Sequence, residues 1–310
     1  MLERQDLHRR LGISVPSGWW PTAPMLKGLE AAGFHWVQVR TPPRSMLCDR
    51  ERLLRHAGSL RRTLETCGLS LVLHGPDDLC AGDPAHDRAL DGLLDYAAAA
   101  GARYVVYHGA NFPVPTDEVS SVRVRERAER EEASLRARVP RLERLGITLA
   151  VENLAPVYPG PPRLSHDPSH VHALVQRLDS SRIGLLFDAG HANVVAGLRG
   201  TDVRALLEPV LDDVVLFHLH DNLGARRDRG SQPGLDPLRL DLHLAPGSGR
   251  LRWEAIAPLL TAGSAPLVLE VHPPHRPEPL SLASVAAELL LRDRPAVGGE
   301  RSGLVAVPPD

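Results

Sequence analysis

Eight short apolar runs, each followed by a stretch with helical periodicity, constrain the fold of this 310-residue chain more than any other feature. The runs are GISVPS (12–17), WVQVR (36–40), LSLVLHG (69–75), RYVVYHG (103–109), ITLAVEN (147–153), IGLLFDAG (183–190), VVLFHLH (214–220) and PLVLEVH (266–272). They are rich in Val, Leu and Ile without clean alternation, the pattern of parallel strands buried on both faces. Residues 24–32, 50–67, 86–100, 124–145, 167–179, 201–212, 252–262 and 281–292 read as helices, several stopped by a glycine such as Gly33, Gly68, Gly101 or Gly146. This order predicts an α/β fold, a single (β/α)8 TIM barrel over residues 12–292. A short extension (1–11) precedes it and a Gly/Pro-rich, flexible tail (293–310) follows. An open doubly wound sheet is the alternative, but the first turn, SVPSGWW, lacks the GxGxxG of a dinucleotide fold.

The bulk properties exclude several functions. A formal net charge of −2 gives no general attraction to nucleic acid or to an anionic membrane. No apolar run is long enough to span a bilayer, and the opening MLERQDLHRR lacks the apolar core of a signal peptide. Cys48, Cys67 and Cys80 have no metal-ligand spacing and read as reduced thiols, which places the chain in the cytoplasm. Lysine chemistry has one candidate, Lys27, and it lies in the first helix, far from the strand ends.

In a barrel the active face is the set of strand C-terminal ends, and the polar residues of this chain fall there. His74, His108, Glu152, Asp188 and Glu270 close five of the strands. His191 follows Asp188, His218 lies near the end of the seventh strand, and Asp241 and His243 sit in the loop DLHLAPGSG (241–249). A buried carboxylate without a partner costs several kcal/mol, and Glu152, Asp188 and Glu270 would repel one another unless a cation lay between them. The economical reading is a divalent metal held by carboxylate oxygen and imidazole nitrogen. Asp241 and His243, two apart in an extended segment, point to one side and grip one ion. Asp188 and His191 flank a turn and face adjacent ions, with Glu152 as the bridge between two. Asn153 and Asp221 orient ligands from behind.

This pattern resembles the xylose-isomerase-like TIM barrels over roughly residues 12–292. Within them the ligand order is most similar to the type IV endonucleases, which cleave abasic DNA with three zinc ions. The residues that carry the resemblance are His74, His108, Glu152 with Asn153, Asp188 with His191, His218 with Asp221, Asp241 with His243, and Glu270. Gly247 and Gly249 match that family's G-x-G after the D-x-H segment. The resemblance implies two zinc ions bridged by Glu152, with His74, His108, Asp188, His218 and Glu270 as their other ligands. It implies a third zinc on His191, Asp241 and His243. Manganese and iron fit the same donor set.

The loop after the first ligand histidine departs from the endonucleases. It reads HGPDDLCAGD, with Asp77 and Asp78 where a DNA backbone would be repelled, and so is closer to the sugar-phosphate isomerase or epimerase members. Duplex DNA is therefore set aside as the partner in favour of a small phosphorylated or carboxylated sugar. Arg40 at the end of the second strand is the best-placed anion ligand, Arg226 and Arg227 offer a second clamp, and Trp20 offers an apolar wall. Two activities compete. Phosphoester hydrolysis by metal-bound hydroxide uses the full nine-residue set, with Glu152 or Glu270 taking the water proton. Sugar isomerisation or epimerisation uses one metal on Glu152, Asp188, His218 and Glu270, with the two glutamates shuttling a proton. Hydrolysis ranks first of these and abasic-site cleavage last.

Overall fold

Eight parallel strands close into a barrel in chain order, the last pairing with the first. In this computed structural model, which describes residues 4–109, 121–155, 164–225 and 241–291, they are β1 Leu11–Ser14, β2 Trp36–Arg40, β3 Ser70–His74, β4 Tyr104–Tyr107, β5 Thr148–Glu152, β6 Ile183–Asp188, β7 Val214–Leu219 and β8 Leu267–Leu269. The expected (β/α)8 architecture is the architecture observed. Between the strands run α2 Ala23–Ala31, α3 Arg44–Leu47, α4 Arg50–Leu64, α5 Pro84–Ala100, α6 Ser121–Leu145, α7 Pro168–Leu178 and α10 Trp253–Ala262, with α11 Pro279–Leu291 after β8.

The barrel interior explains where the polar residues stand. Val72, Val106, Ala150, Leu186, Leu216 and Val268, one from each of β3 to β8, form a single buried cluster. Side chains two apart on a strand share a face. The residue two positions further along each of these strands is therefore inward-facing and one layer higher: His74, His108, Glu152, Asp188, His218 and Glu270. Their neighbours Leu73, Val105, Val151, Phe187, Phe217 and Leu269 face outward into the core beneath the helices. Six ligand-type residues thus stand as a ring on an apolar floor.

Three local differences from the expected elements have simple causes. The sixth strand stops at Asp188, because Asp188 caps a helix there, accepting from the His191 N–H at 2.7 Å. That helix, α8 Ala189–Arg199, carries no signal in IGLLFDAG because its first turn is as apolar as the strand. The helix expected over 201–212 is split at Pro209 into α9 Val203–Leu207 and a 3-10 turn, Glu208–Asp213. At the other end of the barrel the first residues pack against it. Leu7, on α1 (Arg4–His8), is wholly buried, and Arg10 donates to Ala265 O at 2.8 Å and Leu260 O at 2.7 Å. The barrel begins at Leu11.

Candidate metal centre

The ring and the loops above it gather the donors into three groups, each with its ligand atoms within 4.8 Å of one another. Glu152, Asp188, His218 and Glu270 form the first, His74, His108 and Glu152 the second, and His191, His220, Asp241 and His243 the third. Glu152 belongs to two groups. Its Oε1 lies 3.0 Å from His218 Nδ1 and its Oε2 lies 3.3 Å from His108 Nε2. Asp188 Oδ2 and Glu270 Oε2 stand 3.7 and 3.5 Å from the same His218 nitrogen.

Three imidazoles are oriented so that they could hold a metal. His74 Nδ1 donates to Gly75 O, His191 Nδ1 to Asn153 O and His243 Nδ1 to Glu270 O, each at 2.8 Å. Carbonyl acceptors fix the proton on Nδ1 and leave the Nε2 lone pair facing the cluster. His218 is reversed: Nε2 donates to Gln38 Oε1 at 2.7 Å, and Nδ1 is the atom that faces the three carboxylates, hydrogen-bonded to Glu152 Oε1 at 3.0 Å through a proton that a cation would displace. Gln38, fully buried on β2, also donates to Glu270 through its amide nitrogen. Sequence reading missed it, although a glutamine inside an apolar strand was a visible signal. His108 Nε2 lies 3.2 Å from His74 Nε2, a contact that its Nε2–H tautomer makes as a hydrogen bond and in which a cation could replace the proton. Glu152 Oε2, Asp188 Oδ2, Asp241 Oδ1 and both nitrogens of His220 are buried with no hydrogen-bond partner. Orphaned acceptors of this kind cost free energy unless something fills the space between them, and the donor set suits a divalent cation.

The electrostatics agree. Burial opposes charge on every group, yet His218 and His74 hold the Glu270 carboxyl at about 2. Burial pushes His243 down, but Asp241 and Glu270 more than offset this and carry it up to about 9. His191, buried beside Asp188 and Asp241, is raised well above the ordinary histidine value. Burial with the neighbouring Arg40 and His108 lowers His74 to about 4. Protons are held at positions where a cation would otherwise balance the carboxylates, so metal binding releases them.

The loop DLHLAPGSG is irregular because Asp221 holds it in shape. Asp221 Oδ1 accepts from Asn222 N at 2.8 Å and Leu251 N at 3.1 Å, and Oδ2 accepts from Gly247 N at 3.0 Å and the Trp253 indole at 2.9 Å. A Cβ on Gly249 would lie 2.1 Å from Asp221 Oδ1, and Gly247 has a φ of +84° that favours glycine. Asp221 shapes the chain that presents Asp241 and His243 without touching a ligand side chain itself. Asn153, by contrast, clamps ligand segments directly: its amide donates to Asp188 O at 3.1 Å and accepts from Asp188 N at 2.8 Å.

The rim differs from expectation. Arg40 pairs with Asp77 at 2.6 Å and Arg44 with Asp78 at 2.7 Å, so the two aspartates are neutralised locally and do not present the repulsive charge expected of them. Asp77 Oδ1 also stands 3.6 Å from His108 Nε2. Trp20 lies edge-on against His56 of α4 at 4.5 Å, on the helix ring. Arg226 and Arg227 lie outside the described residues. His220 was missed as a ligand candidate; its spacing of two from His218 was the available signal, because it puts both on one face.

A closed barrel whose strand ends carry these donors defines a class, and the comparisons agree with it. The chain belongs to the xylose isomerase-like TIM barrel family, which it matches over residues 26–292. Among solved structures it is similar to a D-tagatose 3-epimerase-like protein, with a TM-score of 0.67 and 19% identity over 91% of this chain and 97% of that one. It is also similar to the apo form of 3-keto-D-glucoside 4-epimerase, YcjR, from E. coli, with a TM-score of 0.64 and 17% identity over 90% of this chain and 98% of that one. Among curated proteins, the uncharacterized protein y4fM of Sinorhizobium fredii is 30% identical over 89 residues, 29% of this chain. The match spans only 23% of that relative's length. No helix among the described residues is long and apolar enough to cross a membrane.

Proposed function

We propose that the protein is a metal-dependent sugar isomerase or epimerase that moves a proton between Glu152 and Glu270. The observation that carries this reading is the placement of the two carboxylates. They come from strands on different sides of the barrel, are buried in its mouth, and flank one position, at 3.0 and 3.5 Å from His218 Nδ1. A divalent cation held by Glu152, Asp188, His218 and Glu270 would polarise the carbonyl and neighbouring hydroxyl oxygens of a sugar and acidify the C–H beside the carbonyl. Glu152 or Glu270 accepts that proton on one face, and the other returns a proton on the opposite face. Gln38 keeps Glu270 and His218 aligned throughout. The substrate of this reading is a small sugar, the class named for both epimerase structures of similar fold.

Phosphoester hydrolysis, placed first on sequence grounds, becomes the second reading. The specific observation in its favour is the presence of the two further donor groups, which a one-metal epimerase does not require. Incubation with a panel of ketoses and phosphorylated sugars in D2O separates the two. The proposed activity incorporates deuterium at the epimerised carbon and loses that exchange in Glu152→Gln and Glu270→Gln. Phosphate release without exchange would transfer the site to hydrolysis.

A further inference from the structure

The third donor group contains one residue beyond His191, Asp241 and His243. His220, one position past β7, is fully buried, and neither of its ring nitrogens makes an aligned hydrogen bond, although Nε2 has the Asp188 carboxylate beside it. Every other imidazole of the third group has one nitrogen committed to a carbonyl: His191 to Asn153 O and His243 to Glu270 O. A neutral imidazole carries one donor and one acceptor, and burying both unpaired is costly. The chain nevertheless makes deliberate room for this ring. A Cβ on Gly190 would lie 2.0 Å from His220 Cε1, so only glycine at 190 admits it. The ring then stacks on His243 with centroids 3.7 Å apart, and its Nε2 faces Asp188 Oδ1 at 3.0 Å and the orphaned Asp241 Oδ1 at 3.8 Å.

We propose that His220 is a fourth protein donor at the position formed by His191, Asp241 and His243. This rests on reading the barrel mouth as a metal centre. Three imidazoles and a carboxylate complete a four-coordinate shell from protein alone, the mark of structural positions, whereas catalytic ones keep a coordination place open. The position then ties the end of β6, the end of β7 and the 241–243 loop together, and substrate oxygens are received at the other two groups. The inference fits a reaction carried by Glu152 and Glu270 and gives the third group a purpose that one-metal chemistry leaves unexplained.

The test is a zinc titration of the metal-free full-length protein against a chelating indicator, with cobalt(II) absorption as a second readout. His220→Asn should weaken one bound ion, and only one, by about tenfold or more and reduce the visible absorption of four-coordinate cobalt. Gly190→Ala keeps every donor but displaces the ring, and should give the same single loss. Melting of the metal-free variants shows whether each is folded, and whichever variant folds decides the question. Unchanged affinity for all ions would overturn the proposal, as would equal weakening of all of them in a folded variant. Glu152→Gln is the separate control. If the wild-type protein binds no zinc, or Glu152→Gln binds it as well as wild type, the metal centre itself is wrong and His220 falls with it.

Discussion

The donors of the strand ring and those of the third group are held in place by different means. Glu152, Asp188, His218 and Glu270 need little beyond sheet register, since each stands two residues above a packed apolar side chain on its own strand. His191, Asp241 and His243 ride on the first turn of a helix and on a loop without regular structure, and His243 takes a φ of +47°. Their positions depend on explicit anchors: the Asp188 helix cap, the Asn153 carbonyl and the four hydrogen bonds to Asp221. Strands give precision through periodicity, whereas a loop needs a buried polar hub to achieve it.

The strand ring should therefore be the harder of the two to perturb by remote changes and the more costly to alter directly. Glu152→Gln removes the charge shared by two donor groups. We expect turnover to fall by about a thousandfold and metal content to drop at both groups, read by steady-state rates and metal analysis. Retention of full metal content would break the comparison, since it would show that Glu152 does not join the two groups.

Asp221→Ala attacks the loop from behind. It leaves three backbone N–H groups and an indole without their acceptor in a buried place, a loss of about 3–4 kcal/mol in urea unfolding. The comparison is sharpened if the metal lost is confined to the His191–Asp241–His243 group while the strand ring keeps its ion. Loss of every ion in a protein that still folds would mean that the two regions are not independent.

The proton balance gives a third handle. Against the cost of burial, His191 is raised well above the usual histidine value by Asp188 and then Asp241, and His243 is raised to about 9, mainly by Asp241. A protonated imidazole cannot ligate, so protons compete with metal below the raised values. Zinc affinity of the third group should keep rising through neutral pH up to about pH 9, by up to tenfold per unit for each proton displaced. An affinity that levels off near the ordinary histidine value would show that Asp241 does not control the group.

The same contrast decides what was legible in the sequence. The eight strands and the ring residues could be read because burial on both faces writes a recognisable apolar run and a carboxylate inside one is conspicuous. Glu152 in LAVEN and Glu270 in LVLEV are of this kind. Helix α8 was not legible, because its first turn continues the apolar run of β6 without a break in composition. His220 was hidden beside His218, and only the Gly190 gap reveals the space made for its ring. The rim charges were misjudged for a different reason. Composition showed two adjacent aspartates, but the arginines that neutralise them, Arg40 and Arg44, come from the preceding strand and helix.

That rim supplies the smallest effect and the finest test of how far the strand ring acts alone. The Arg40–Asp77 pair is 37% and 57% exposed at its two side chains, so Asp77→Asn should change stability by less than about 1 kcal/mol. The substitution leaves the Arg40 guanidinium without its carboxylate at the mouth. If the rim sets only which sugars enter, the KM for a phosphorylated sugar should fall by roughly 3- to 10-fold relative to its unphosphorylated parent, with kcat for the parent within about twofold. Asp77 Oδ1 is also 3.6 Å from His108 Nε2 and 3.7 Å from His74 Nδ1, close enough to influence the second donor group. A loss of kcat on both sugars would therefore place Asp77 with the machinery of the floor, and the division between a strand-borne centre and a tunable rim would have to be redrawn one loop higher.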